Sequence, residues 1–138
     1  MLEETLLTTV KLRFDKAREC LKDADMNIQN DAYATAANRS YYCIFHTMRA
    51  ILVTIGFTAK THAGNISEFR RVFIKTGLFA TQFSDIIGRA FEVRNDSDYD
   101  DFYVISKEEV LQQAENAREF LEAAEEYIKV QLSSDSTE

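Results

Sequence analysis

Residues 94–103 combine one arginine, one amide, four carboxylates and two phenols in a single short stretch. Such groups are costly to bury unless their charges are paired, so the stretch is either solvated or part of a site. If helical geometry persists, Arg94 and Asp98 lie one turn apart and can pair, which is the structural interpretation. In the functional interpretation Arg94 contacts a phosphate, Asp98 orients the guanidinium and Tyr99 supplies a phenol.

A second polar group, Lys60-Thr61-His62, lies in the other stretch that has a loop-like pattern. A lysine can bind phosphate, and a histidine can transfer a proton near pH 7. His46 lies between apolar positions and is interpreted as a partly buried, hydrogen-bonded side chain. The sequence leaves open whether His62 and Arg94 meet.

No metal or cofactor is expected. Asp96, Asp98 and Asp100 alternate as at the start of an EF-hand loop, but the sixth position is Asp101 instead of glycine and the twelfth is Lys107 instead of glutamate. The chain also contains no P-loop, nucleophile elbow, zincin or dinucleotide-binding motif.

Composition favours one all-α domain. The 138 residues include no proline and only four glycines, and 46% of them are hydrophobic. A net charge of −7 argues against broad duplex DNA binding and gives no indication of sequence-specific DNA recognition. Residues 39–94 are richer in Lys, Arg and His, which favours a nucleotide or RNA contact there. The most apolar stretch, residues 44–57, is too short to span a bilayer, and two isolated cysteines suit a reduced compartment, so a cytoplasmic protein is expected.

Apolar periodicity predicts an up-and-down bundle of four main helices and one short helix. Residues 1–132 are expected to form the domain, and residues 133–138 a polar C-terminal tail. Ser106 is expected to cap the last helix, with Glu109 completing a capping box. The predicted helices are Leu2–Ile28, Ala32–Ile55, Asn65–Lys75, Thr81–Arg94 and a last helix that ends near Leu132.

Three segments together resemble the HEPN domain family. Residues 36–46, with paired tyrosines followed by Phe45 and His46, resemble the family's central helix. Lys60-Thr61-His62-Ala63-Gly64 resembles the K-T-H-x-G loop of one uncharacterised prokaryotic subfamily. Residues 94–103 resemble that subfamily's R-x-x-x-D-Y-D-D-x-Y pattern. The three segments occur in the family's order and cover nearly the whole chain.

The resemblance implies a helical bundle that forms a homodimer through the face that carries the motif. Well-known members are metal-independent ribonucleases with an R-x(4–6)-H motif, and many are toxins paired with a nucleotidyltransferase or another antitoxin. This chain departs from the motif, because Tyr99 stands five residues after Arg94 where a histidine is expected. A phenol with a reference pKa of about 10 is a poor base at neutral pH.

Two functions are therefore expected as alternatives. In the first, a dimeric toxin-like or defence-type protein binds RNA or a nucleotide and cleaves RNA without metal. Its catalytic candidates are Arg94, Asp98, Tyr99 and His62, where His62 replaces the missing imidazole. Its phosphate-binding candidates are Lys60, Arg94, Asn95 and Arg39. In the second, a non-catalytic nucleotide-binding or adaptor subunit docks a nucleotidyltransferase partner through the acidic stretch.

Overall fold

The helices form where apolar side chains recur at helical spacing. The structure, a computed structural model, describes residues 3–136 and contains no strand among them. The all-α prediction, with four long helices and one short one, is confirmed. The helices are α1 (Glu4–Gln29), α2 (Tyr33–Val53), α3 (His62–Phe69), α4 (Gln82–Tyr99) and α5 (Lys107–Ser136), and a π-helical turn, Arg70–Ile74, continues α3.

Helix α2 is the central element. It packs against α1, α3, α4 and α5, and most of its circumference is buried, as its broad apolar stripe predicts. Tyr41, Ile44, Met48 and Ile51 are each at most 2% exposed. Full burial of a large apolar side chain contributes about 1.5–3 kcal/mol, so this helix anchors the bundle.

A second group of buried rings holds the middle of the chain against α5. Phe69 stacks on Phe73 with ring centroids 5.3 Å apart, and both contact Phe79. Phe120 of α5 completes the cluster, 5.6 Å from Phe69. These contacts fix α3 and the π-helical turn against the rest of the bundle.

Two helix boundaries near the predicted site differ from those expected. Helix α4 continues to Tyr99 instead of ending at Arg94, because the Arg94–Asp98 pair forms one turn apart and no glycine or proline interrupts it. Helix α3 begins at His62, before Asn65, because the Thr61 side chain caps it.

The last helix begins as predicted and ends later. The Ser106 hydroxyl accepts from the Glu109 amide at 3.0 Å, which confirms the N-cap, whereas the Glu109 carboxylate pairs with Arg89 instead of returning to the cap. Helix α5 continues through Ser136, beyond Leu132, so the expected tail is helical as far as it is described. Residues 137 and 138 lie outside the described residues, and the division of the chain into domain and tail stays a prediction.

Within the described part of the chain, no helix is both long enough and apolar enough to cross a membrane.

Candidate functional site

Arg94 lies at the centre of a ring of tyrosines between α4 and α2. Its side chain is only 16% exposed. The guanidinium carbon lies over the rings of Tyr41, Tyr42 and Tyr99, 5.6, 5.7 and 5.4 Å from their centroids. Three aromatic faces around one cation stabilise its charge where little water reaches it.

The polar contacts of Arg94 are long or poorly aligned. Nη2 donates to Tyr42 Oη and Nη1 to Asn95 Oδ1, each at 3.3 Å. Nε lies 3.0 Å from Asp98 Oδ2, which makes an ion pair by distance, but its N–H does not point at that oxygen and has no hydrogen-bond partner among the described residues. A buried guanidinium N–H without a partner is costly, so the group retains capacity to bind an anion.

His62 reaches the same ring cluster from α3. Its Nδ1 lies 2.6 Å from Tyr41 Oη. Its ring stacks on Phe45 with centroids 4.2 Å apart and lies 5.6 Å from the Tyr41 ring. His62 and Arg94 therefore contact the same side chain, Tyr41, although they are 32 residues apart in the sequence. The question that the sequence left open, whether the two stretches meet, is answered by this shared contact.

The start of α3 fixes His62 in place. Thr61 Oγ1 accepts from the Gly64 amide at 3.0 Å, and the buried Asn65 side chain donates to the carbonyls of Ala59 and Thr61. A Cβ at Gly64 would lie 2.8 Å from Thr61 Oγ1, so glycine allows the capped turn to close. His62 is the first residue of the helix and is held by the cap before it.

Burial and charge keep both partners of this hydrogen bond neutral near pH 7. Burial is the largest cause that lowers the pKa of His62, followed by the charges of Arg94 and Arg49. Burial also raises the pKa of Tyr41. The Tyr41 hydroxyl has no other hydrogen-bond partner among the described residues, so its proton goes to Nδ1. The Nε2 of His62 then carries the remaining proton and is a donor.

A hydrogen-bond chain joins the carboxylate of α4 to a second arginine on α2. Asp98 Oδ2 accepts from Asn38 Nδ2 at 3.2 Å. Asn38 Oδ1 in turn accepts from Arg39 Nε and Nη2 at 3.1 and 2.7 Å. The Arg39 guanidinium lies over the Tyr42 ring, 5.3 Å from its centroid. Arg39 and Arg94 thus lie against the same phenol.

The structure brings most of the predicted site residues together. Arg94, Asp98, Tyr99 and Asn95 lie on one turn of α4, and Arg39 and His62 join them through the tyrosines. Lys60 is exposed ahead of α3 and has no hydrogen bond or ion pair with any described residue. It does not join the cluster.

Sequence reasoning missed the side chains that connect the site. Tyr41, Tyr42 and Phe45 hold the arginines and the histidine, yet the apolar stripe assigned them to the core. Asn38, which bridges Asp98 and Arg39, was also missed. The paired tyrosines one and two residues after a polar pair and a serine in an otherwise apolar helix were the available indication.

The acidic stretch has the wrong shape for an EF-hand. Asp96 and Asp98 are helical, and Asp98 faces Arg94. Asp100 accepts from the Phe102 amide at 2.9 Å, as in a local turn. Within residues 3–136 no three His, Cys, Asp or Glu side chains are grouped so that they could hold a metal ion.

Comparison with known proteins gives one family. A family model described as the HEPN domain matches residues 10–127. A UPF0332 protein of Thermotoga maritima is 34% identical over 114 residues, which cover 83% of this chain and 86% of that protein.

Two further relatives are proteins of Methanocaldococcus jannaschii, each named "Putative toxin". One is 29% identical over 114 residues, which cover 83% of this chain and 78% of its own length. The other is 30% identical over 99 residues, which cover 72% and 74%. The matched region contains α2, the start of α3 and all of α4, which carry the ring cluster described above.

Proposed function

The chain belongs to the HEPN domain family, and on that basis we propose that it is a toxin-type protein that binds RNA through a phosphate held between Arg94 and His62. The observation that carries the proposal is the contact of both side chains with Tyr41. The guanidinium has an unpaired N–H and two weak hydrogen bonds that a phosphate oxygen can replace. The His62 Nε2–H supplies a second donor to the same anion.

The toxin role rests on the two relatives from Methanocaldococcus jannaschii whose names contain that word. A toxin requires a partner that neutralises it, and we propose an antitoxin, with a nucleotidyltransferase as the enzyme class to test first. The two free cysteines and an RNA ligand both suit the cytoplasm, where we place the protein.

Metal-independent RNA cleavage is the second candidate function. It is favoured by an imidazole beside Arg94, which supplies the group that Tyr99 lacks at the motif position. Cleavage beside a 2′-hydroxyl needs a base, an acid and a cation for the developing charge. With Nδ1 accepting from Tyr41, His62 Nε2 carries a proton. His62 therefore fits the donor role, and the base must come from another group.

We further propose that a second copy of the chain covers the site. Tyr99, Phe102 and Val104 follow Arg94 directly and are 72%, 95% and 88% exposed. Apolar side chains this exposed next to a polar cluster favour a protein interface. Sedimentation equilibrium should give a dimer for the wild type and a larger monomer fraction for Phe102→Ser. A wild type that is entirely monomeric at micromolar concentration would contradict this part of the proposal.

The main experiment measures the binding of 5′-fluorescein single-stranded RNA by fluorescence anisotropy, in buffer that contains EDTA. Loss of one charge-assisted phosphate contact costs about 1.5–3 kcal/mol, so Arg94→Gln should weaken binding about tenfold or more. Arg71→Gln is the matched control, because Arg71 is an exposed arginine paired with Glu68. Circular dichroism checks that each variant is folded.

The same samples are examined for cleavage on a denaturing gel. Cleavage in EDTA by the wild type, and its loss in His62→Gln, would establish the ribonuclease. RNA binding without cleavage would leave a non-catalytic binding protein. Failure of the folded, dimeric wild type to bind RNA would refute the proposed function, and the adaptor alternative would be tested with the partner instead.

A further inference from the structure

A row of basic side chains lies beside the ring cluster, along one face of α2. Arg39, Tyr42, His46 and Arg49 recur at helical spacing and so share that face. Arg39 Nη1 lies 3.9 Å from Cys20 Sγ of α1, which runs antiparallel to α2. Seven residues back along α1 and seven forward along α2, the same register sets α1 opposite His46.

The α1 residues at that level are also basic. Arg13 lies opposite His46 in the antiparallel register, and Lys16 follows one turn later along α1. The Arg49 guanidinium lies 5.7 Å from the centroid of the Phe45 ring. Together Arg13, Lys16, Arg39 and Arg49 form what we term the basic face, with His46 at its centre.

The cations of the basic face have no carboxylate partner among residues 3–136. Arg13, Lys16 and Arg49 make no ion pair or hydrogen bond with a described residue, and the strong hydrogen bonds of Arg39 go to the neutral Asn38 amide. The arginines elsewhere that are ion-paired each have an acidic neighbour; they are Arg18, Arg71, Arg89, Arg94 and Arg118. In a chain of net charge −7, four cations grouped without an acid lack a counter-charge.

His46 reports how close these cations lie. Burial is the first cause that lowers its pKa to about 4, and Arg13, Arg49, Lys16 and Arg39 are the charges that lower it further. No carboxylate is among these causes. Its Nδ1 is buried and has no hydrogen-bond partner within the described chain. The imidazole is therefore neutral near pH 7, and the positive charge of the face comes from the four cations.

The basic face continues into the Arg94–His62 site through shared rings. Phe45 lies between Arg49 and His62, with its ring 5.7 Å from the guanidinium and 4.2 Å from the imidazole. Tyr42 lies under Arg39 and also accepts a hydrogen bond from Arg94. A chain of alternating cations and aromatic faces is the arrangement with which proteins follow a single-stranded nucleic acid backbone.

We propose that Arg13, Lys16 and Arg49 form a second anion subsite, which binds phosphates of the same single-stranded RNA next to the phosphate held by Arg94. This inference rests on the proposed function and adds the path of the strand. It predicts that an RNA oligonucleotide contacts both subsites, whereas AMP, with one phosphate, occupies only the Arg94–His62 site.

The test measures the affinity of the full chain for 5′-fluorescein single-stranded RNA at several salt concentrations. The double variant Arg13→Gln/Arg49→Gln should bind at least tenfold more weakly. Each lost phosphate contact lowers the slope of log affinity against log salt by about 0.7, so the slope should fall by about 1.4. Arg18→Gln, on the same helix but paired with Asp15 and Glu125, should change neither quantity.

AMP competition separates this inference from the proposed function. Inhibition of RNA binding by AMP should be lost in Arg94→Gln and retained in Arg13→Gln/Arg49→Gln. If the wild type binds RNA through Arg94 but the double variant keeps the wild-type affinity and salt slope, the second subsite is refuted and the proposed function stands. If the wild type binds no RNA, both fail. Removing mutually repelling charges should not lower the melting temperature, which checks that the double variant is folded.

Discussion

Replacement of Tyr41 by phenylalanine tests the hydrogen bond on which the chemistry of His62 depends. The variant keeps the buried ring, which is 2% exposed, and removes only the hydroxyl that lies 2.6 Å from His62 Nδ1. If that hydroxyl donates, it stabilises the neutral imidazole, so its loss should raise the pKa of His62. If instead a protonated Nδ1 donates to Tyr41, the loss should lower it.

The expected size follows from the strength of one hydrogen bond. A typical intramolecular hydrogen bond contributes about 1 kcal/mol, which corresponds to about 0.7 unit of pKa. Burial, Arg94 and Arg49 still lower the pKa in the variant, so it should approach the ordinary value without exceeding it by much. The free energy of unfolding should also fall by about 1 kcal/mol.

Titration by NMR suits this measurement because the chain contains two histidines. The ring signals of His62 are identified by their absence from His62→Gln. Tyr127→Phe is the control, since that hydroxyl makes no hydrogen bond with a described residue. A pKa that falls or stays constant in Tyr41→Phe would refute the donor assignment and would make His62 Nε2 a candidate base.

Other substitutions test the positions around this contact. Gly64→Ala should lower the free energy of unfolding by about 1 kcal/mol in urea, because its Cβ forces Thr61 out of the cap, and unchanged stability would contradict the capped turn. Asp98→Asn should tighten RNA binding several-fold at low salt, since a carboxylate beside Arg94 repels phosphate; weaker binding in anisotropy would show that the carboxylate positions the guanidinium instead. The depressed pKa of His46 favours folding above pH 6.5, and this contribution is lost as the pH falls from 6.5 to about 4, because the unfolded chain takes up the proton first. Solvent screening of a partly exposed ring limits the loss to about 1–2 kcal/mol, and His46→Gln should show a correspondingly shallower fall in melting temperature with pH if the assignment is right.

The helices could be predicted from the sequence because each buries a regular apolar stripe. The end of α4 could not, since the acidic residues after Arg94 oppose the helix dipole and resemble a loop. The ion pair between Arg94 and Asp98 offsets that effect and carries the helix to Tyr99. The sequence allowed this pair but could not decide whether it forms.

The site was predictable only in parts. The types and spacing of Arg94, Asp98 and His62 marked them as candidates, but their distance depends on how α3 packs against α2. The roles of Tyr41 and Tyr42 were hidden because buried phenols fit an apolar stripe as well as a site. The basic face was hidden for another reason, since its residues come from two helices whose register appears only in the fold.

The most direct test of the central claim is a double-mutant cycle on RNA affinity with Arg94→Gln and His62→Gln. If both side chains hold one phosphate, their effects are not independent, and the coupling energy should be about 1 kcal/mol, beyond the 0.3–0.5 kcal/mol within which independent sites add. The same cycle on the free energy of unfolding without RNA provides the control for coupling through Tyr41. Coupling in RNA affinity that exceeds the control is the predicted result. Additive effects on affinity would contradict a shared phosphate site.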